Sequence, residues 1–182
     1  MMTPSDNIDE QVGATAVSPW KENQSVGRSA SPYDGEQDMA QLTLSDLSKK
    51  MAKLDFAMLA THDASGALTA RPMSNNGDVD YDGDSYFFAY EQSRKIADIR
   101  AHPQVVLSYT GAVGMLGGPP LFIAIEGHAT LIQDKSQFEA HWTKDLDRYF
   151  PDGIDTPGVV MIRIHADRIR YWDGGEEGEV AA

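Results

Sequence analysis

The sequence contains no cysteine. That excludes disulfides, thiolate metal sites and cysteine nucleophiles. Basic residues are scarce as well: 15 Lys and Arg stand against 28 Asp and Glu, for a net charge of −13. So acidic a chain argues against general binding to nucleic acid or to an anionic membrane, because both reward a basic surface. A local basic site for one phosphorylated ligand stays open. No stretch approaches the roughly 18 consecutive apolar residues of a membrane span, and residues 1–20 lack the basic and apolar regions of a signal peptide. These absences lead us to expect a soluble, cytoplasmic protein.

What is present divides near residue 40. Residues 1–40 are rich in Ser, Asp, Gly and Pro, show no helix or strand period, and carry a charge of −5. They bury too little apolar surface to offset their ordering entropy, so we expect a disordered acidic tail. From there the pattern is regular. Leu44, Leu47, Met51 and Leu54 are spaced as one face of an amphipathic helix, and Thr43 with Asp46 forms a capping-box pair. Strands are expected over 56–62, 67–73, 85–91, 104–110 and 121–134, the last bent at Gly127, with a final strand pair over 158–173. Short helices are expected over 93–102, capped by Ser93 and stopped by Pro103, and over 136–150, with Phe138, Trp142 and Leu146 on one stripe. The order implies a predominantly β, α+β domain over residues 41–175, a six-stranded antiparallel barrel. A flexible acidic end is expected at 176–182.

Several apparent motifs fail on context. Asp78, Asp80, Asp82 and Gly83 begin like an EF-hand loop. Position 12 of that loop is Ala89, however, and strand-like sequence follows instead of a helix. "YDGD" (81–84) is better read as a hairpin turn between the strands at 67–73 and 85–91. The glycines at 111, 114, 117 and 118 lack the G-x-G-x-x-G spacing, and Pro119-Pro120 stands where that motif needs a helix. The five histidines show no close ligand pair, and no G-x-S-x-G element marks a serine nucleophile.

One constellation has a clear physical use. Ser93 would cap a helix whose first turn carries Arg94 and Lys95. Free N–H groups and partial positive charge at a helix start favour a phosphate. Cations there oppose the macrodipole unless an anion offsets them. The plainer reading is exposed Arg and Lys on a solvated helix. Arg71, in the strand that the expected hairpin would place beside Phe87 and Phe88, could add to the cationic cluster, or could pair with a surface carboxylate. Pro72, with no N–H to donate, suits a strand edge.

"ATHDASGALTARPM" followed by "YDGDSYFFAYEQSRKIADIRAHPQVVLSY" resembles the FMN-binding split barrels related to pyridoxamine 5′-phosphate oxidase, in particular their general stress protein branch. The resemblance covers residues 42–173. It implies a homodimer with FMN at each of two sites between the protomers. By position, Ser93, Arg94 and Lys95 would hold the FMN phosphate, and Arg71 would reach the phosphate or ribityl chain. The backbone of Pro72, Met73, Phe88 and Ala89 would line the isoalloxazine ring, and Trp172 would approach it from the partner chain. Tyr109 is a further candidate for the interface.

Departures from the oxidase limit what carries over. Ala89-Tyr90 stands where that enzyme has polar residues, and its arginine-histidine substrate signature is absent after Trp172. The acidic end would repel a phosphorylated substrate. The expectation is therefore an FMN-dependent oxidoreductase of unknown substrate, not a true pyridoxamine 5′-phosphate oxidase. The alternatives are a non-enzymatic flavin store or sensor, and a deazaflavin- or haem-binding barrel. His62 and Tyr90 are possible donors; no catalytic residue is assigned.

Overall fold

Helix α1 (Leu44–Met51) begins at Thr43 with the capping box that the sequence suggests: the Thr43 hydroxyl accepts from the Asp46 amide, and the Asp46 carboxylate accepts from the Thr43 amide. Leu47 and Met51 are buried on the face that closes one side of the barrel. The computed structural model describes residues 42–182 apart from 76, 78, 79, 114–118 and 175. The expected tail at 1–40 lies outside the described residues.

The strands are β1 (Phe56–His62), β2 (Leu68–Ser74), β3 (Asp84–Tyr90), β4 (Gln104–Thr110), β5 (Phe122–Ile132), β6 (Val159–Asp173) and β7 (Glu176–Val180), with helix α2 (Arg94–Ala101) between β3 and β4. They pair antiparallel in the order β2-β1-β4-β5-β6-β3, with β7 also on β6. The six-strand path curls into a split barrel. Alternation along the strands builds its interior. Ala57 and Leu59 of β1, Phe87 and Ala89 of β3, Leu107 and Tyr109 of β4 and Ile123 and Ile125 of β5 face one core, which Ile96 and Ile99 of α2 complete.

The Asp-Gly segment departs from expectation. β2 and β3 lie at opposite ends of the sheet path and do not form a hairpin. The chain leaving β2 is drawn to α1 instead. Asn75 Nδ2 donates to the carbonyls of Met51 and Leu54 at 2.9 and 2.8 Å, and the Tyr81 amide donates to Ser48 Oγ at 2.8 Å. Gly83 alone in the Asp82-Gly83 pair takes a positive φ, 109°, as the chain bends into β3.

The expected final strand pair is one strand of 15 residues. β6 is long enough to serve β5 along one edge and, on its other edge, first β3 and then β7. Opposite Gly127 its register shifts, and Asp167 is the extra residue of a β-bulge. A β-carbon at Gly127 would collide with the His165 carbonyl, so only glycine allows this approach. Within the acidic end, Glu176–Val180 forms β7. Of its acids, Glu179 accepts from Arg168 Nε at 2.8 Å and Glu177 from the Trp172 indole N–H at 3.2 Å.

Residues 136–150 do not form a continuous helix. Short 3₁₀ turns at Lys135–Gln137, Glu139–His141 and Lys144–Arg148 replace it, interrupted by an extended Trp142 and Thr143. The breaks let Phe138, Trp142, Leu146 and Phe150 all reach the outer face of the sheet, where they pack with Phe88, Val159 and Met161 as a second core. Burial here overrides local helix preference. Phe88 sits edge-on to both Phe138 and Trp142, at 5.4 and 4.8 Å between ring centroids.

Candidate functional site

Helix α2 starts as the sequence predicts, with Ser93 as N-cap and His102 as C-cap before Pro103. The Ser93 amide donates to the Tyr90 carbonyl at 2.9 Å, which fixes the helix start directly beyond β3. A cap serine ordinarily turns its hydroxyl onto the amide of the second or third helical residue. Ser93 makes no such bond, and its Oγ is buried without a hydrogen-bond partner among the described residues. An orphaned hydroxyl beside the open amides of a first turn is a polar socket.

Lys95 is half-buried beside it and forms no ion pair among the described residues. Burial, and then the charge of Arg71, hold its ammonium below its ordinary value of 10.5. Arg94 is exposed, near enough to Asp63 to help keep that carboxyl low; the Ser65 hydroxyl is the larger cause. No acid stands in the first turn of α2. The site therefore gathers a free hydroxyl, helix amides and two cations, and it suits a phosphate group chemically.

Arg71 does reach α2, by a route other than the expected hairpin. Because β2 pairs with β1, Arg71 stands opposite Leu59 and Thr69 opposite Thr61 on the inner face of the sheet. From there its guanidinium meets Asp98 at 3.0 Å; the two side chains are only 19% and 5% exposed. Thr61 Oγ1 donates to the same carboxylate at 2.9 Å. Asp98, Thr61 and Thr69 were not singled out by sequence reasoning. The available signal was an acid next to Ile99 on the inward stripe of an amphipathic helix.

The remaining candidates are dispersed. Pro72 is exposed on edge strand β2, and Met73 is buried in the main core with Ala89. Phe88 points the other way, into the second core. Trp172 lies thirteen residues along β6 from Val159, the residue that pairs with Tyr90 next to α2. Its indole N–H donates to Glu177 Oε2 at 3.2 Å, and the Arg170 guanidinium stands 5.7 Å from its ring. Trp172 thus lies at the far end of β6 from the Tyr90–Val159 pair that precedes α2. Tyr109, expected near an interface, is instead 1% exposed in the barrel core, where burial pushes its phenol up to about 12. The Tyr90 hydroxyl donates to the Tyr149 carbonyl at 3.0 Å, and His62 packs edge-on against His102.

The family model described as "Pyridoxamine 5'-phosphate oxidase like" matches residues 43–182. The chain belongs to the pyridoxamine 5′-phosphate oxidase-like family. No curated protein matches it. Among solved structures, a protein of Clostridium acetobutylicum related to general stress protein 26 is 17% identical. It has a TM-score of 0.61 over 75% of this chain and 92% of its own. General stress protein 26 of Bacillus anthracis strain Sterne is 24% identical, with a TM-score of 0.57 over 71% of this chain and 92% of that one. An FAD-binding protein of Mesorhizobium loti is 22% identical, with a TM-score of 0.55 over 68% and 88%. At these identities the likeness is one of fold. It agrees with the split barrel of this oxidase-like chain, whose described residues include no helix long and apolar enough to cross a membrane.

Proposed function

We propose that this chain binds FMN and works as a homodimeric flavin-dependent oxidoreductase, with its binding unit in residues 42–182. The observation that carries the reading is the buried, unpartnered Ser93 Oγ at the open start of α2, flanked by Arg94 and Lys95. Those three residues would hold the phosphate, with Arg71 behind them. Backbone of Pro72 and Met73 and of Phe88 and Ala89 would line the ring, and Trp172 would come from the second copy. Bound FMN would supply the redox chemistry, and the protein supplies binding, orientation and charge.

A second copy fits the outward face of β1 and the edge strand β2. Phe56, Met58 and Leu68 are 58%, 44% and 72% exposed, and Pro72 pairs with Met58 on the same outward face. Large apolar side chains clustered on one sheet face mark an interaction surface. The separation of Trp172 from Ser93 within one chain also favours a site built from two. The acids of β7 next to Trp172 disfavour a phosphorylated substrate there, which argues against pyridoxamine 5′-phosphate oxidation itself.

The test is an absorption spectrum of the purified chain before and after FMN is added. Perturbed flavin bands at about one FMN per chain are expected. A colourless protein that leaves FMN fluorescence unquenched would sink the proposal. A haem-type or deazaflavin-type spectrum would replace FMN by that ligand.

A further inference from the structure

All four terminal N–H bonds of Arg71 have acceptors inside the protein. Nη1 donates to Thr61 Oγ1 at 2.6 Å and to the Leu59 carbonyl at 3.4 Å. Nη2 donates to Thr69 Oγ1 at 2.7 Å and to Asp98 Oδ2 at 3.0 Å. Arginine grips phosphate through two parallel N–H bonds of its fork. Here that fork is already closed on β1, β2 and α2. Asp98 is the one charged member among the acceptors, and its carboxylate is 5% exposed.

We infer that Asp98 sets the charge of the anion site: it holds Arg71 inward and offsets its charge, leaving Lys95 and Arg94 as the cations that meet the ligand. The inference rests on the reading of α2 as the FMN phosphate site and refines it, because Arg71 then acts on the phosphate through its pairing with Asp98 and not by contact. Two free cations match a phosphate monoester, which carries close to two negative charges near neutral pH. A third free cation would favour more highly charged anions. Asp98 is thus a positioning residue that selects a single terminal phosphate. Its neighbours explain why it can be buried: Thr61 donates to it at 2.9 Å and Thr69 lies at 3.5 Å, so the pair sits among hydroxyls and not in bare hydrocarbon.

The experiment is a fluorescence titration of the full chain and its variants with FMN and with riboflavin, which lacks the phosphate. Asp98→Asn keeps the shape and removes one negative charge near the ligand. It is expected to tighten FMN by about tenfold and to leave riboflavin within about twofold. Arg71→Gln leaves Asp98 facing the phosphate without its cation, and should weaken FMN by tenfold or more. In Arg71→Gln/Asp98→Asn most of that loss should return.

Three results would overturn the inference. A double variant as weak as Arg71→Gln would mean that Arg71 grips the phosphate directly. Equal weakening of FMN and riboflavin by Asp98→Asn, with a lower melting temperature, would make Asp98 a structural tie only. Asp98→Asn binding FMN like the wild type would remove its charge from the site. A wild-type chain that binds neither flavin would instead sink the FMN reading and this inference with it. Should a single variant fail to fold, side-chain ¹⁵N NMR of Arg71 in the wild type decides: unmoved Nη signals on FMN addition support the inward lock, and signals that change partner overturn it.

Discussion

The phenolic oxygen of Tyr171 lies over Gly178 so closely that a β-carbon there would stand 2.5 Å from it. Tyr171 is in the main core and its hydroxyl receives the Leu42 amide at 3.2 Å, so it cannot simply swing away. Gly178→Ala should therefore lift β7 from β6 and cost about 1–3 kcal/mol, the usual penalty of overpacking. Paired urea melts of wild type and variant measure it. An unchanged midpoint would show that β7 adds nothing to the stability of the barrel.

Lys95→Ala should weaken FMN by about 1.5–3 kcal/mol, the range for a hydrogen bond to a charged group, while riboflavin binding and the fold persist. Equal affinity for FMN in the folded variant would remove Lys95 from the phosphate site.

The pH dependence of that site has two opposite signs. The Lys95 ammonium titrates below 10.5 in the folded chain because of burial and Arg71. Between that lowered value and 10.5 the unfolded chain binds the extra proton, so the contribution of Lys95 to stability rises with pH. FMN affinity should fall across the same window, because the phosphate loses a cation. Titrations of FMN at several alkaline pH values check this. An affinity that stays flat in the wild type, or that falls equally in Lys95→Ala, would contradict the assignment.

Met58→Asp places a charge in the middle of the exposed face formed with Phe56, Leu68 and Pro72. Light scattering should show a dimer for the wild type and a folded monomer for the variant. FMN binding should be lost together with the dimer if the site needs both copies. A monomeric wild type that still binds FMN would refute the shared site.

Phe138 is 0% exposed and packs edge-on to Phe88 beneath the 3₁₀ turns. Phe138→Ala should cost about 3–5 kcal/mol, seen as a lower denaturation midpoint. A loss well under 1 kcal/mol would mean that the second core is not closed in solution.

How much of this was legible depended on whether the decisive contact was local. The α1 cap, the start of α2 at Ser93 and its stop before Pro103 are set by neighbours within a few residues, and the sequence displays them. The same holds for Gly127, whose position inside an apolar strand signals a close approach. A β2–β3 hairpin is what the sequence suggests because Asp82-Gly83 fits a local turn, while the tethers that redirect the chain, Asn75 and Tyr81, act on α1 from 24 and 33 residues away. The 136–150 stripe named the right inward side chains, yet its continuity depended on a sheet face that a one-dimensional pattern does not contain. At the site, Ser93, Arg94 and Lys95 were visible as a helix start. Asp98 was not, because its partners Arg71, Thr61 and Thr69 come from the hairpin of β1 and β2.

The bulge at Asp167 also divides β6 into two parities. Before it, Ile162, Ile164 and Ala166 face the barrel core; after it, Ile169 and Tyr171 do. Asp167 reconciles the two: in a regular strand that kept it, every later residue would change faces, turning Tyr171 out and Trp172 in, whereas without it both would stay where they are. A one-residue deletion here is therefore absorbed by closing the bulge, and Trp172 keeps its face. A relative with a single insertion between Ala166 and Trp172 must carry a second irregularity, or present a different side chain where Trp172 stands.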